Sequence, residues 1–148
     1  MGSEKLYRVM LADDDPDDRD LFTEAINEYN ADVDSVANGV QLMSALQQKV
    51  NDLPDLIFLD LNMPEKGGKE CLREIRGDKK LKDVPVLIYS TSSSKKDIDE
   101  TFELGANLYI TKPSSFSELR RTIKDILDMD WSKDQPASNR NSFVFGAS

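Results

Sequence analysis

Asp60 stands directly behind the apolar run Leu56-Ile57-Phe58-Leu59, and Asn62 follows two residues later. Asp13 and Asp14 close a second apolar run, Tyr7–Ala12. Ser90 and Thr91 close a third, Pro85–Tyr89, and Lys112 follows the short run Leu108–Ile110. Three carboxylates drawn together raise one another's pKa unless a cation sits among them. A hard, oxygen-preferring ion such as Mg²⁺ suits that set, because it keeps several waters and leaves room for a phosphate oxygen. The Lys112 ammonium and the Ser90 hydroxyl would hold the other phosphoryl oxygens. Phosphoryl transfer needs little beyond positioning and charge neutralisation around an in-line nucleophile. A carboxylate can be that nucleophile, and Asp60, behind the most continuous apolar run, is the candidate.

Composition narrows the alternatives. The chain contains no histidine, which removes Ser-His-Asp and Cys-His nucleophiles and His-ligated zinc. It also means that a phosphohistidine would have to be supplied in trans. The one cysteine, Cys71, lies among Glu70, Leu72 and Ile75 and reads as a partly buried helix residue rather than a nucleophile. A single cysteine excludes an internal disulfide and fits a reducing cytoplasm. The formal net charge of −9 argues against nucleic acid as a direct partner. No apolar run approaches the roughly 20 residues of a membrane helix, and the start MGSEKLYRVM lacks a signal-peptide core.

The elements that must position these groups alternate. Tyr7–Ala12 reads as a first strand, and six of the eight residues 13–20 are aspartates. Asp15 can cap a helix with Pro16 in its first turn, and Leu21, Phe22, Ala25, Ile26 and Tyr29 form its apolar face. The remaining aspartates of that stretch read as a solvated helix start. Val33 and Val36 mark a weaker strand ended by Asn38-Gly39, and Leu42, Met43, Leu46 and Val50 an amphipathic helix. The run ending at Asp60 suits a strand buried on both faces. Pro64 and Gly67-Gly68 turn the chain into a third helix, followed by the charged loop Gly77–Asp83. Ile98, Phe102 and Leu104 lie on a fourth helix stopped by Gly105, and Phe116, Leu119, Ile123, Ile126 and Leu127 on a fifth, capped by Ser114 or Ser115. Five strands alternating with five helices predict an α/β domain with a doubly wound parallel sheet. In such a sheet the carboxyl ends of the strands, where every polar cluster falls, converge on one crevice. The domain is expected to span residues 1–128. Residues 129–148 are expected to be a flexible tail without an output domain, ending in the apolar patch Ser142-Phe143-Val144-Phe145. That patch reads as a disordered end, with strand addition or docking to a neighbouring subunit as the alternative.

LADDDP (Leu11–Pro16), LDLNMP (Leu59–Pro64), LIYSTS (Leu87–Ser92) and ELGANLYITKP (Glu103–Pro113) occur in one order at compatible spacings. Together they resemble the receiver domain of two-component response regulators over about residues 5–128. The resemblance implies a flavodoxin-like sheet of order 2-1-3-4-5, with Asp60 as phosphoacceptor. It implies Mg²⁺ or Mn²⁺ held by Asp14, Asp60, the Asn62 backbone carbonyl and, mainly through water, Asp13. The family hydroxyl lies fifteen positions before the glycine of Gly105-Ala106, which is Ser90, with Thr91 next. Lys112 matches the family lysine, Pro113 its often cis proline, and Tyr109 the aromatic that turns inward when the hydroxyl moves. Asn62 and Ser92 stand where side chains tune the lifetime of the phosphoryl group.

The partner so implied is a histidine kinase or a histidine phosphotransfer protein, and a homodimer is compatible with the pattern. The chain would act as a switched binding module, through the face of the fourth helix, fifth strand and fifth helix, rather than as a turnover enzyme. The charged loop before the fourth strand is similar to that of stand-alone receivers paired with phytochrome-like kinases. Two alternatives are a phosphorylation-independent scaffold and a haloacid-dehalogenase-type phosphatase. The full set Asp13, Asp14, Asp60, Ser90 and Lys112 argues against the first. The second carries its nucleophile as the first aspartate of a DxD pattern after the first strand and has a cap domain, whereas here the lone aspartate behind a buried strand follows the third strand and no cap domain is expected.

Overall fold

In a computed structural model, residues 6–129, 131 and 140–146 are described. Five strands, β1 (Tyr7–Ala12), β2 (Ala31–Val36), β3 (Leu56–Leu59), β4 (Val86–Ser90) and β5 (Leu108–Thr111), form one parallel sheet in the order β2-β1-β3-β4-β5. Helices α1 (Pro16–Ile26), α2 (Gly39–Gln48), α3 (Gly68–Gly77), α4 (Lys95–Glu103) and α5 (Phe116–Leu127) connect and follow them. A four-residue turn of helix, α6 (Arg140–Phe143), comes last. The parallel α/β architecture is that expected from the alternation, and the flavodoxin-like strand order is that implied by the resemblance.

The central strands are apolar because both of their faces are covered. All four residues of β3 and all five of β4 are buried. Alternation then divides the core. Ile57, Leu59, Val86 and Ile88 face one layer, with Leu42, Leu46, Leu72 and Ile75 from α2 and α3. Leu56, Phe58, Leu87 and Tyr89 face the other, with Phe22, Ile26, Leu119 and Ile123 from α1 and α5. β2 is an edge strand with only Ala31 buried, which accounts for its weak signature in the sequence.

Side-chain caps fix where the helices begin. Asp15, Asn38, Ser94 and Ser115 each accept a backbone N–H of the first turn of α1, α2, α4 and α5. At the opposite end of the sheet, before β4 and β5 begin, Arg76 acts as a tie. Its guanidinium donates to the carbonyls of Gly105 at 2.9 Å and Val84 at 2.8 Å, and to Asn107 Oδ1 at 2.8 Å. The charged loop after α3 is thereby held against the turn into β5, and Leu81 within it is fully buried. Gly105 has φ +97°, a left-handed turn that suits glycine.

The end of the chain departs from expectation. The Trp131 indole donates to the Ile126 carbonyl at 2.7 Å and closes the end of α5. Phe143 is fully buried, with its ring 5.2 Å from Phe102 and 6.1 Å from Tyr109. Val144 forms a parallel bridge to Tyr109, and the Phe145 N–H donates to the Tyr109 carbonyl at 2.9 Å. The patch Phe143–Phe145 is thus docked on β5 of its own chain rather than loose or seated on a neighbour. Aromatic area explains this, since Phe102 of α4 and Tyr109 of the edge strand β5 would otherwise lack cover. Residues 132–139, most of the stretch expected to be flexible, lie outside the described residues.

Phe143→Ala is expected to lower the stability to urea by about 3 kcal/mol, as for deletion of a buried aromatic ring. Hydrogen–deuterium exchange should show the Phe145 amide losing its protection while the β3 and β4 amides keep theirs.

Candidate functional site

Strand register delivers the polar groups to one place. β1 and β3 pair Ala12 with Leu59, so the residues after them, Asp13 and Asp60, emerge side by side. The Asp60 N–H donates to the Ala12 carbonyl at 2.9 Å and the Asp13 N–H to Val36 at 3.1 Å, extending the ladder past the strand ends. On the other side β4 pairs Ser90 with Thr111, and the Lys112 N–H donates to the Ser90 carbonyl at 2.8 Å. Gly68 lets α3 begin against this edge. A Cβ there would come within 2.3 Å of the Asp60 carbonyl oxygen, so any larger residue displaces the strand end.

Charge at the site is unbalanced. Lys112 Nζ lies 2.7 Å from Asp13 Oδ2, 2.9 Å from Asp18 Oδ2 and 3.3 Å from Asp60 Oδ2. Asp13 is fully buried and Asp60 is 6% exposed. Burial raises the pKa of the Asp60 carboxyl; Lys112 opposes this and Asp13 adds to it. Burial also disfavours the Lys112 ammonium, but Asp13, Asp18 and Asp60 outweigh it, and the lysine stays charged beyond its ordinary range. Beneath lies a platform of Phe22, Phe58 and Tyr89 rings in edge-to-face contact, with Lys112 Nζ 5.4 Å from the Tyr89 centroid. A cation over a ring face is favourable and fixes the ammonium from below.

The carboxylates of Asp13, Asp14 and Asp60 fit a hard cation. One oxygen of each lies within 4.8 Å of the others, and Asp14 is the exposed member. The buried Asp13 Oδ2 accepts no oriented hydrogen bond among the described residues and has only its ion pair with Lys112. An all-oxygen set of excess negative charge with such an oxygen is the donor chemistry of Mg²⁺ or Mn²⁺. Asn62 is exposed beside it, and its N–H approaches Asp60 Oδ1 at 3.4 Å.

Of the two candidate hydroxyls, Ser90 is fully buried at the end of β4 and Thr91 is exposed. Ser90 Oγ accepts the Ser92 N–H at 3.1 Å. Tyr109 is fully buried, and its hydroxyl donates to the Ser92 carbonyl at 2.7 Å. The inward aromatic therefore reaches the same loop as the hydroxyl. The Ser92 side chain turns to Asp97. No described peptide bond is cis, so the bond before Pro113 is trans, unlike the form the resemblance associates with it. Cys71 is buried and its thiol is pushed up to about 11 by burial, which removes it as a nucleophile.

Asp13, Asp14, Asp60, Ser90 and Lys112 are thus brought together, with Asn62, Ser92 and Tyr109 around them. Asp18, read from the sequence as part of a solvated helix start, instead pairs with Lys112. The signal was available in the cap: Asp15 takes the Asp17 and Asp18 N–H groups, which starts α1 with Asp18 in its first turn over the crevice.

Because Asp60 has a raised pKa, the folded chain keeps that proton to higher pH than the unfolded chain. Its contribution to stability is therefore lost as pH rises through the folded value. Asp60→Asn is expected to raise the melting temperature of metal-free protein at neutral pH, with the gain shrinking toward about pH 4. Mg²⁺ at ten times its dissociation constant should stabilise the wild-type chain by roughly 1.4 kcal/mol, and Asp14→Asn should lose most of that in calorimetry.

Comparison with known proteins agrees with this geometry. The family model for the response regulator receiver domain matches residues 9–124. Response regulator Rcp1 from Synechocystis sp. is 32% identical over 124 residues, which are 80% of this chain and 84% of that protein. The crystal structure of the phosphorylated cyanobacterial phytochrome response regulator RcpA superposes with a TM-score of 0.79 at 36% identity, covering 87% of this chain and 96% of that one. The Mn²⁺-bound form of Rcp1 superposes with a TM-score of 0.73 at 31% identity, covering 81% and 91%. The chain belongs to the response regulator receiver domains of two-component signalling.

Proposed function

We propose that this receiver takes a phosphoryl group onto Asp60 from a phosphohistidine, carried by a histidine kinase or a phosphotransfer protein. The carrying observation is a 6%-exposed carboxylate at the centre of the crevice, flanked by Asp13 and by the Lys112 ammonium at 3.3 Å. The absence of histidine in this chain means the donor acts in trans.

An Asp60 carboxylate oxygen attacks phosphorus as the phosphorus–nitrogen bond breaks. The donor imidazole leaves with the electron pair and is protonated by solvent. Lys112, released from Asp60 as that oxygen is esterified, holds one phosphoryl oxygen, and the Ser90 hydroxyl donates to another. Asp14, Asp60, the Asn62 carbonyl and, through water, Asp13 would hold Mg²⁺ or Mn²⁺. The ion supplies charge neutralisation for the phosphoryl oxygens. Return to the resting state is hydrolysis, in which water attacks phosphorus, inorganic phosphate leaves and the carboxylate is restored. Asn62 and Ser92 flank the path of that water and tune the lifetime. The chemistry is self-phosphorylation and self-dephosphorylation, so the chain is a switch and not a turnover enzyme.

Ser90 and Tyr109 carry the state of Asp60 outward to the face of α4, β5 and α5, where partner affinity changes. That Tyr109 and Ser90 both bond to Ser92 supports this coupling. Residues 143–145 lie against β5, so a partner or a second copy using this face meets them as well. The acidic balance and the single cysteine support a cytoplasmic setting without nucleic acid as a direct partner. No helix among the described residues is long and apolar enough to cross a membrane.

Intact-protein mass after incubation with acetyl phosphate and Mg²⁺ tests the assignment. The expected result is one added phosphoryl group, labile to base, absent without the metal and absent in Asp60→Asn. Labelling that persists in that variant would place the nucleophile elsewhere, and no labelling of folded wild-type protein would make the chain a scaffold.

A further inference from the structure

Ser92 has three polar groups, and each is engaged by a different part of the fold. Its N–H donates to Ser90 Oγ at 3.1 Å. Its carbonyl accepts the Tyr109 hydroxyl at 2.7 Å. Its own hydroxyl donates to Asp97 Oδ2 at 2.5 Å. Asp97, in the first turn of α4, uses its other oxygen to accept Lys69 Nζ of α3 at 2.7 Å, and the same ammonium reaches Glu100 at 2.6 Å. The β4–α4 loop, both flanking helices and β5 therefore meet at one residue.

We propose that Asp97, clamped by Lys69, is a positioning residue that places Ser92 and through it both the Ser90 hydroxyl and the inward Tyr109 ring. This rests on the reading of Ser90 and Tyr109 as the switch pair. Ser92 lies on a loop, where position is not fixed by a ladder. Two of its bonds go to the groups that must move, and its hydroxyl also meets Ser94 of the same loop at 3.3–3.4 Å. The 2.5 Å bond to Asp97 is the one that ties it, through Lys69, to α3. Asp97 is itself fixed by three independent contacts. Its N–H donates to the capping Ser94 Oγ at 3.1 Å, its carbonyl accepts Thr101 Oγ1 at 2.8 Å, and Lys69 holds its side chain. Lys69 and Ser92 also hold the Asp97 carboxyl below its ordinary pKa.

The plainer function of such a cluster is to stabilise the helix start and the surface. Partly exposed ion pairs contribute little to global stability, and Lys69 and Asp97 keep about a quarter of their side-chain surface (28% and 23%) in solvent. The two roles therefore separate. A stabilising role predicts a small change in melting temperature and nothing at Tyr109. A positioning role predicts displacement of Tyr109 with the fold intact.

The discriminating experiment is fluorine NMR of this 148-residue chain labelled with 3-fluorotyrosine. It carries four tyrosines, Tyr7, Tyr29, Tyr89 and Tyr109, the last assigned from Tyr109→Phe. The Tyr109 resonance should move or broaden in Asp97→Ala, Lys69→Met and Ser92→Ala, with the other three signals unchanged. Lys69→Arg, which keeps the charge at the clasp, should restore the wild-type position. Phosphorylation by acetyl phosphate should slow roughly two- to tenfold in Asp97→Ala, the range expected for one positioned hydrogen bond. Asp97→Ala combined with Ser92→Ala should be no slower than the slower single variant, because both act through one bond. An unmoved Tyr109 signal in Asp97→Ala, or rate effects that multiply in the double variant, would overturn the proposal. If the wild-type chain accepts no phosphoryl group, the functional reading fails, while the Tyr109 signal in the resting protein still decides this one.

Discussion

Three carboxylates, Asp13, Asp18 and Asp60, gather around the ammonium of Lys112 at the carboxyl edge of the sheet, and a fourth, Asp14, stands beside Asp13 and Asp60. Charge of this kind does not hold itself together, because removing ions from water costs more than an imperfect set of pairs returns. It has to be held by something else. Here the holding force is the two-layered apolar core, whose strands continue their hydrogen bonding one residue beyond their ends and so carry Asp13, Asp60 and Lys112 into place. The excess of negative charge is the property that makes the edge receptive to a cation.

Precision at that edge comes from contacts that are not themselves charged. The edge-to-face rings of Phe22, Phe58 and Tyr89 fill the space below Lys112 and give its ammonium a surface to rest on. Gly68 allows the backbone of α3 to press on the Asp60 peptide. Just before it, Glu65 has φ +69°, an uncommon conformation for a residue with a side chain, between the Pro64 turn and α3. The loop carrying Asn62 is consequently pinned at both ends, by the strand register and by the helix start. Rigid support of this kind is what a site that works by positioning requires.

Much of this was legible in the residues. The apolar runs with Asp13, Asp60, Ser90 and Lys112 behind them announced strands, and the rule that α/β sheets place ligands beyond strand ends put those residues in one crevice. Capping residues announced two of the helix starts, and Asp15 and Ser115 perform that role; Asn38, legible only as part of a turn, caps α2 as well. Three features escaped. Asp18 looked like one more aspartate in an acidic run, because composition alone cannot say which member of a run faces inward, and the phase that singles it out is set by the Asp15 cap. The bonds of Ser92 with Asp97, Ser90 and Tyr109 depend on loop geometry, which has no periodicity to read. Phe143 lies more than thirty positions from Tyr109 and packs its ring against it at the sheet edge, and a long-range contact of that kind leaves no local mark.

The docking of Phe143–Phe145 has a further meaning for the sheet as an object. An open sheet ends in rows of unsatisfied peptide groups, which are templates on which a foreign chain can crystallise as an extra strand. β2 is shielded by its polar, largely exposed sequence. β5 is short and apolar, and would be the adhesive side. By lending its own peptide to the Tyr109 carbonyl and its own ring to the groove beside it, the chain carries a plug for its stickiest border. Any visiting strand must first evict that plug. The border is therefore closed to casual pairing and open only to a visitor that offers more than the chain already offers itself.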